Sequence, residues 1–277
     1  MQTKACFRKE FLAFSRTYKL VILALVFIGL AVFNPLMLRG MGLLMDSLSG
    51  VYDEFGMDVS GMTAALSESV STGVSTAVME LAQTGLIVFL LVINSNAGGE
   101  QKKRSVIIPR SAGLRSFSYL FPKYIIYPLT AFVLATAGAF AAWGAAAALF
   151  SVNDVTASSV LAAGALVGVC VMFYVCIHLT IGTATGKPGL SAAVCIGVSL
   201  LLPNIFSLMG SEYVYNPFTL NILAGSVVNR DMLSATSPLD VIITVLIALA
   251  IMIILFFVAL FAQNAKAIDN SGNEIAI

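Results

Sequence analysis

The stretch GGEQKKRSVIIPRSAGLRSFSYLFPK, residues 98–123, decides how this chain is read. It carries six of the chain's fifteen Lys and Arg residues (Lys102, Lys103, Arg104, Arg110, Arg115 and Lys123) against one acid, Glu100. Long apolar runs flank it on both sides. Short basic loops beside membrane spans stay on the cytoplasmic side, because placing Lys or Arg at the bilayer centre costs about 2.5–3.5 kcal/mol each. A cytoplasmic loop at this point orients every other segment.

Composition places those other segments in a bilayer. Of 277 residues, 59% are hydrophobic and 10% charged, and the mean hydropathy is +0.96, far from the range of soluble domains. Apolar runs long enough to span as helices fall at residues 20–38, 81–97, 124–150, 158–181, 190–209 and 241–262. The expected fold is an all-α membrane protein, one transmembrane domain over residues 1–277 with six transmembrane helices and both termini cytoplasmic. Charge distribution supports that count independently of hydropathy. Thirteen of the fifteen basic residues fall on the cytoplasmic side, leaving Arg39 and Arg230 outside. The first apolar run follows a basic stretch and ends without a small-residue cleavage pattern, so it is expected to remain as a span.

Three connecting segments have a character of their own. Residues 1–19, MQTKACFRKEFLAFSRTYK, interleave Phe7, Phe11, Leu12, Phe14 and Tyr18 with Lys4, Arg8, Lys9, Arg16 and Lys19, the composition of an interfacial helix on an anionic leaflet. Residues 39–80 hold Asp46, Asp53, Glu54, Asp58, Glu68 and Glu80 against Arg39, and read as an outer loop. Met62, Leu66 and Val70, at four-residue spacing, predict one or two amphipathic helices there. Residues 210–240 alternate polar breaks with apolar runs too short to span, which suits an outer re-entrant hairpin. Asn34-Pro35 predicts a kink or an early end to the first helix.

The spans offer little chemistry. Ion-coupled carriers need groups that change charge inside the membrane, and His178 is the one candidate in the expected spans. A lone histidine there is more often a packing residue than a proton relay. No HExxH or GxSxG stretch is present, and Cys6, Cys170, Cys176 and Cys195 lack metal-ligand spacing, so no metal is expected. Thr185-Gly186-Lys187-Pro188 imitates the end of a phosphate-binding loop, but Ile181 occupies the first glycine position and Pro188 the magnesium-binding one. Energy for active transport would therefore come from another polypeptide.

The layout resembles the ABC-2 type permease family, the membrane subunits of ATP-binding-cassette exporters. The matching pieces are FRKEFLAFSRTYK (residues 7–19), NPLMLRGMGLLMDSL (34–48), the loop at 98–123 and YNPFTL (215–220). The family's Glu-x-x-x-Gly-Thr is altered here, since Arg104 and Ser105 follow Glu100. The resemblance implies an elbow helix carrying Phe7, Arg8, Lys9, Phe11 and Arg16. It implies an ATPase-coupling segment of Glu100, Lys102, Lys103, Arg104, Ile107, Pro109 and Arg110, and an outer hairpin turning at Tyr215, Asn216 and Pro217. It also implies a separate ATPase that binds ATP and Mg, with no cofactor on this chain.

The expected function is that of an exporter permease in the cell membrane. It has no enzymatic site of its own and no nucleic-acid partner, and it pairs with a second or sister permease. Nearly uncharged spans favour an amphipathic or lipid-like cargo. The alternative is a non-transporting membrane anchor or assembly factor that uses the same basic loop for docking.

Overall fold

The computed structural model describes residues 2–54, 69–102, 113–151, 154–208, 215–229 and 237–273. Within these, six helices are long and apolar enough to cross a membrane, and there is no β-strand. Helix α1 (Gln2–Arg16) precedes α2 (Lys19–Glu54), and Val70–Asn96 forms α3. A single turn, α4 (Gly99–Lys102), leads towards α5 (Ser116–Leu149), α6 (Ala157–Thr185) and α7 (Pro188–Leu208). The short α8 (Leu220–Val228) and the long α9 (Pro238–Asn273) complete the order.

Burial ranks these helices. The most apolar stretch of α6 is 67% buried, against 22% for α2 and 17% for α9, so α6 is the core and α2 and α9 present their surfaces outward. Gly164 and Gly168 bring α6 close to α5. A Cβ on Gly164 would stand 3.1 Å from the Thr136 Cα, and Thr136 Oγ1 donates to the Gly164 carbonyl at 3.3 Å. Small residues at four-residue spacing do the same in other membrane bundles. Thr156 caps the start of α6, its hydroxyl accepting from Ser159 N–H. Gly186 ends it in the left-handed region at φ 69°, and Pro188 opens α7 two residues later.

Helix bounds depart from the hydropathy reading in four places, one of them α9, which runs to Asn273, eleven residues past the expected end at 262. Helix α2 runs through Pro35 to Glu54 rather than ending at residue 38. Inside a bilayer no water is present to satisfy freed backbone groups, so a helix is the cheapest state even for a proline-containing segment. Helix α3 begins at Val70, eleven residues before the expected span, capped by Ser69 and by Asp154, whose Oδ1 accepts from Ser71 N–H at 3.0 Å. Val70 is buried rather than part of a surface helix, and Glu80 lies inside the second span instead of the outer loop. Met62 and Leu66 lie outside the described residues. Helix α5 begins at Ser116, which moves Lys123 from the loop into the third span.

Helix α8, too short to span, packs against α6 and α3. Pro217–Thr219 forms a 3-10 turn before it, and Asn216 Oδ1 accepts from Phe218 N–H at 3.1 Å. The Phe218 ring then meets Phe173 of α6 at 5.3 Å. Of the three residues expected at the hairpin's turn, Pro217 is buried, Asn216 is the cap, and Tyr215 is exposed at φ 53°.

Candidate functional site

Helix α1 has two faces. Thr3, Phe7, Glu10 and Phe14 recur at helical spacing and lie towards the bundle, whereas Lys4, Arg8, Lys9, Phe11 and Arg16 are exposed. A carboxylate on the inward face of such a helix is unusual and needs partners, since an unpaired buried charge costs several kcal/mol. Glu10 is 3% exposed and finds two. Tyr127 Oη donates to Glu10 Oε2 at 2.8 Å, and Lys123 Nζ stands 3.7 Å from Oε1.

Lys123 is the centre of the cluster. Its side chain is 3% exposed and its ammonium is surrounded by oxygen: Glu100 Oε2 at 2.6 Å, Tyr119 Oη at 3.1 Å, the Asn96 carbonyl at 3.2 Å and Glu10 Oε1. It also lies 4.5 Å from the centroid of the Tyr119 ring, one turn earlier on α5. Tyr119 Oη donates to the same Glu100 oxygen at 2.6 Å. Lys9 reaches the other carboxylate oxygen from α1 at 3.0 Å.

A second branch runs through Tyr127. Asn96 Nδ2 donates to its hydroxyl at 2.6 Å, and Asn96 Oδ1 accepts from Lys19 at 2.6 Å. Lys19 also donates to Ser95 Oγ at 2.9 Å. Helix α1, the start of α2, the end of α3, α4 and the start of α5 are thus joined by one polar network.

The electrostatics of Glu100 follow from this geometry. Partial burial would raise its carboxyl pKa, but the Lys123 charge and the hydrogen bonds from Lys123, Tyr119 and Lys9 outweigh that and hold it at about 2. Glu100 is therefore ionised throughout the physiological range. What such a cluster can do is hold several helix ends in one arrangement.

The backbone reinforces that end of the bundle. Gly98, at φ 113°, and Gly182 of α6 lie against each other so closely that a Cβ on Gly182 would overlap the Ala97 carbonyl, and one on Gly98 would overlap the Gly182 carbonyl. Only glycine permits this contact.

Among the residues expected for coupling, Glu100 is in the network. The backbone of Lys102 ends α4, and Lys103, Arg104, Ile107, Pro109 and Arg110 lie outside the described residues. From α1, Lys9 joins the cluster and Phe7 meets Phe121 of α5 at 6.4 Å, while Arg8, Phe11 and Arg16 are exposed on the far side. His178 is fully buried, its Nδ1 2.8 Å from Ser191 Oγ on α7.

Glu10, Tyr119 and Tyr127 went unnoticed in the sequence. The inward phase of Glu10 on an otherwise basic helix was the signal that could have found it. No family model matches the chain, and neither a curated protein nor a solved structure does, so its function rests on the geometry above.

Proposed function

We propose that this chain is the membrane permease subunit of an ATP-driven exporter of the ABC-2 type, working beside a separate ATPase and a second permease. The observation that carries the reading is the double grip on Glu100: Lys123 holds it from the third span and Lys9 from the amino-terminal helix. A permease without an ATP site must receive force from outside. A motor that engages residues 98–123 on the cytoplasmic side would act, through Glu100, on α1, α3 and α5 together rather than on a free loop. Rigid-body rocking of packed helices is a standard way to convert such a pull into alternating access. In this reading α1 is the elbow helix at the inner leaflet, and α8 is a re-entrant element on the outer side before the last span.

Affinity purification of the tagged chain from its native membrane in mild detergent, with companions identified by mass spectrometry, tests the proposal. Recovery of an ABC ATPase with the wild type, and its loss with a folded Glu100→Ala, Arg104→Ala variant, is the expected result. Absence of any ATPase under conditions that preserve known complexes would overturn it in favour of an anchoring role.

A further inference from the structure

The second span carries a polar face that is half-buried among the described residues. Between Val70 and Leu86 of α3, the positions that are not buried are Thr72, Thr76, Met79, Glu80, Gln83 and Thr84, five of them polar. Their spacing of four, three, one, three and one residues puts them on one side of the helix. The face is bordered by packed neighbours. Met79 lies against Gly225 of α8, where an added Cβ would meet its Cγ at 3.2 Å, and Gly85 lies against the Phe27 ring of α2, 3.3 Å from where its Cβ would stand.

Depth makes this face unusual. Glu80 sits about 15 Å from the Val70 end and about 24 Å from the Asn96 end of the helix, at 1.5 Å per residue. A hydrocarbon layer of about 30 Å that lies within the length of α3 includes it. A π-turn, Leu81–Gly85, begins at the next residue, and such turns interrupt α-helices most often at functional sites. The Glu80 carboxylate accepts from the Thr84 hydroxyl, and among the described residues no Lys, Arg or His pairs with it.

A carboxylate at that depth needs water and a positive partner. Among the described residues the six spans hold three basic side chains, Lys19 and Lys123 at the Asn96 end and Arg39, which has an interaction of its own, and none of them pairs with Glu80. A second copy of the chain would bring the same short supply.

We infer that the Thr76–Glu80–Gln83–Thr84 face of the second span lines a path for an amphipathic organic cation, with Glu80 as its counter-charge. Hydroxyl and amide groups along the face serve the polar part of such a molecule, and Met79 with the flanking apolar spans serves its body. This rests on the permease reading and narrows it, from amphipathic cargo to positively charged amphipathic cargo.

The test compares tetraphenylphosphonium with tetraphenylborate, ions of nearly the same size and shape and opposite charge. Binding of each is measured to the purified full-length chain in nanodiscs, without any ATPase, so the outcome is independent of companion capture. Saturable tetraphenylphosphonium binding is expected, weakened at least tenfold in Glu80→Gln and kept within threefold in Glu80→Asp, with tetraphenylborate bound at least tenfold more weakly by the wild type. Monodisperse elution of Glu80→Gln at the wild-type volume guards against misfolding, and Thr76→Val supplies a milder second variant expected to lose about threefold. Equal binding of both ions, or undiminished cation binding by a folded Glu80→Gln, would overturn the inference. So would efficient disulfide formation between copies of Thr84→Cys with no cation binding, because the face would then be an interface.

Discussion

Lys123 Nζ and Glu100 Oε2 stand 2.6 Å apart, which binds the first turns of the third span to the residue that follows the second. Neither residue lies deep in a span by sequence, yet Lys123 is as buried as the core around it.

Removing Lys123 should therefore cost far more than removing Lys9. Lys123→Met leaves Glu10 buried without its cation, a loss of about 3–5 kcal/mol. Lys9, with 60% of its side chain exposed, contributes under about 1 kcal/mol to its pair with Glu100. Equilibrium unfolding of the two variants in mixed micelles checks the contrast. A Glu10→Gln, Lys123→Met double variant should recover part of the single variant's loss, since the orphaned charge is gone.

Acid should weaken the cluster in a defined window. The Glu100 carboxyl is held at about 2 against its ordinary 4.5, so the ionised form is favoured by folding. Its contribution is complete above pH 4.5 and is lost as the pH falls towards 2. Thermal unfolding of wild type and Glu100→Gln at pH 7, 4 and 3 should show the wild type's advantage shrinking across that range. A constant difference would contradict the assignment.

Tyr127→Phe removes a hydroxyl that donates to Glu10 and accepts from Asn96. A hydrogen bond to a charged group contributes about 1.5–3 kcal/mol, so this variant should be destabilised by that order. Because Glu10 belongs to α1, the helix should also loosen from the bundle. Faster trypsin cleavage at Arg8 and Lys9 in the folded variant is the expected signature, and an unchanged cleavage rate would argue that the Lys9–Glu100 and Glu10–Lys123 pairs and the aromatic contacts hold α1 without that hydroxyl.

Gly182→Ala should be among the most damaging single-methyl additions in the chain. The added carbon overlaps the Ala97 carbonyl, which is backbone and cannot rotate aside. Gly189→Ala, with nothing within 4 Å of the new carbon, should be neutral or slightly stabilising in its helix. Yields of monodisperse protein and unfolding temperatures for the two variants measure the difference.

Much of the architecture was legible because hydropathy reports transfer into lipid, and six apolar runs leave little choice of fold. What hydropathy does not report is where a helix stops once it has left the hydrocarbon. Helix α2 continues past Arg39, and α5 starts at Ser116, because nearby polar residues are compatible with helix. Pro122 and Pro128 did not prevent α5 from forming as one helix.

The cluster was half legible for a related reason. Glu100 stood out as the single acid of a basic loop, whereas Lys123 looked like one more loop cation. Its burial depends on Glu10, over a hundred residues away, and on a pairing that no local pattern encodes. Glu80 was hidden by a boundary: placed in an acidic outer segment, it looked solvated. The four-residue spacing of Thr72, Thr76, Glu80 and Thr84 is visible only when α3 is known to begin at Val70.

Helix α1 is joined to α2 through only Thr17 and Tyr18, the latter at φ 57°. Its side chains, by contrast, rest mainly on α5. The amino-terminal segment is thus tethered to one span and seated on another, like a key hanging from one door and fitted in the lock of the next. Lifting it would unlock the third span before it tugged on the first, so a bulky fusion at the amino terminus should disturb the third span more than the first, to which it is covalently closest.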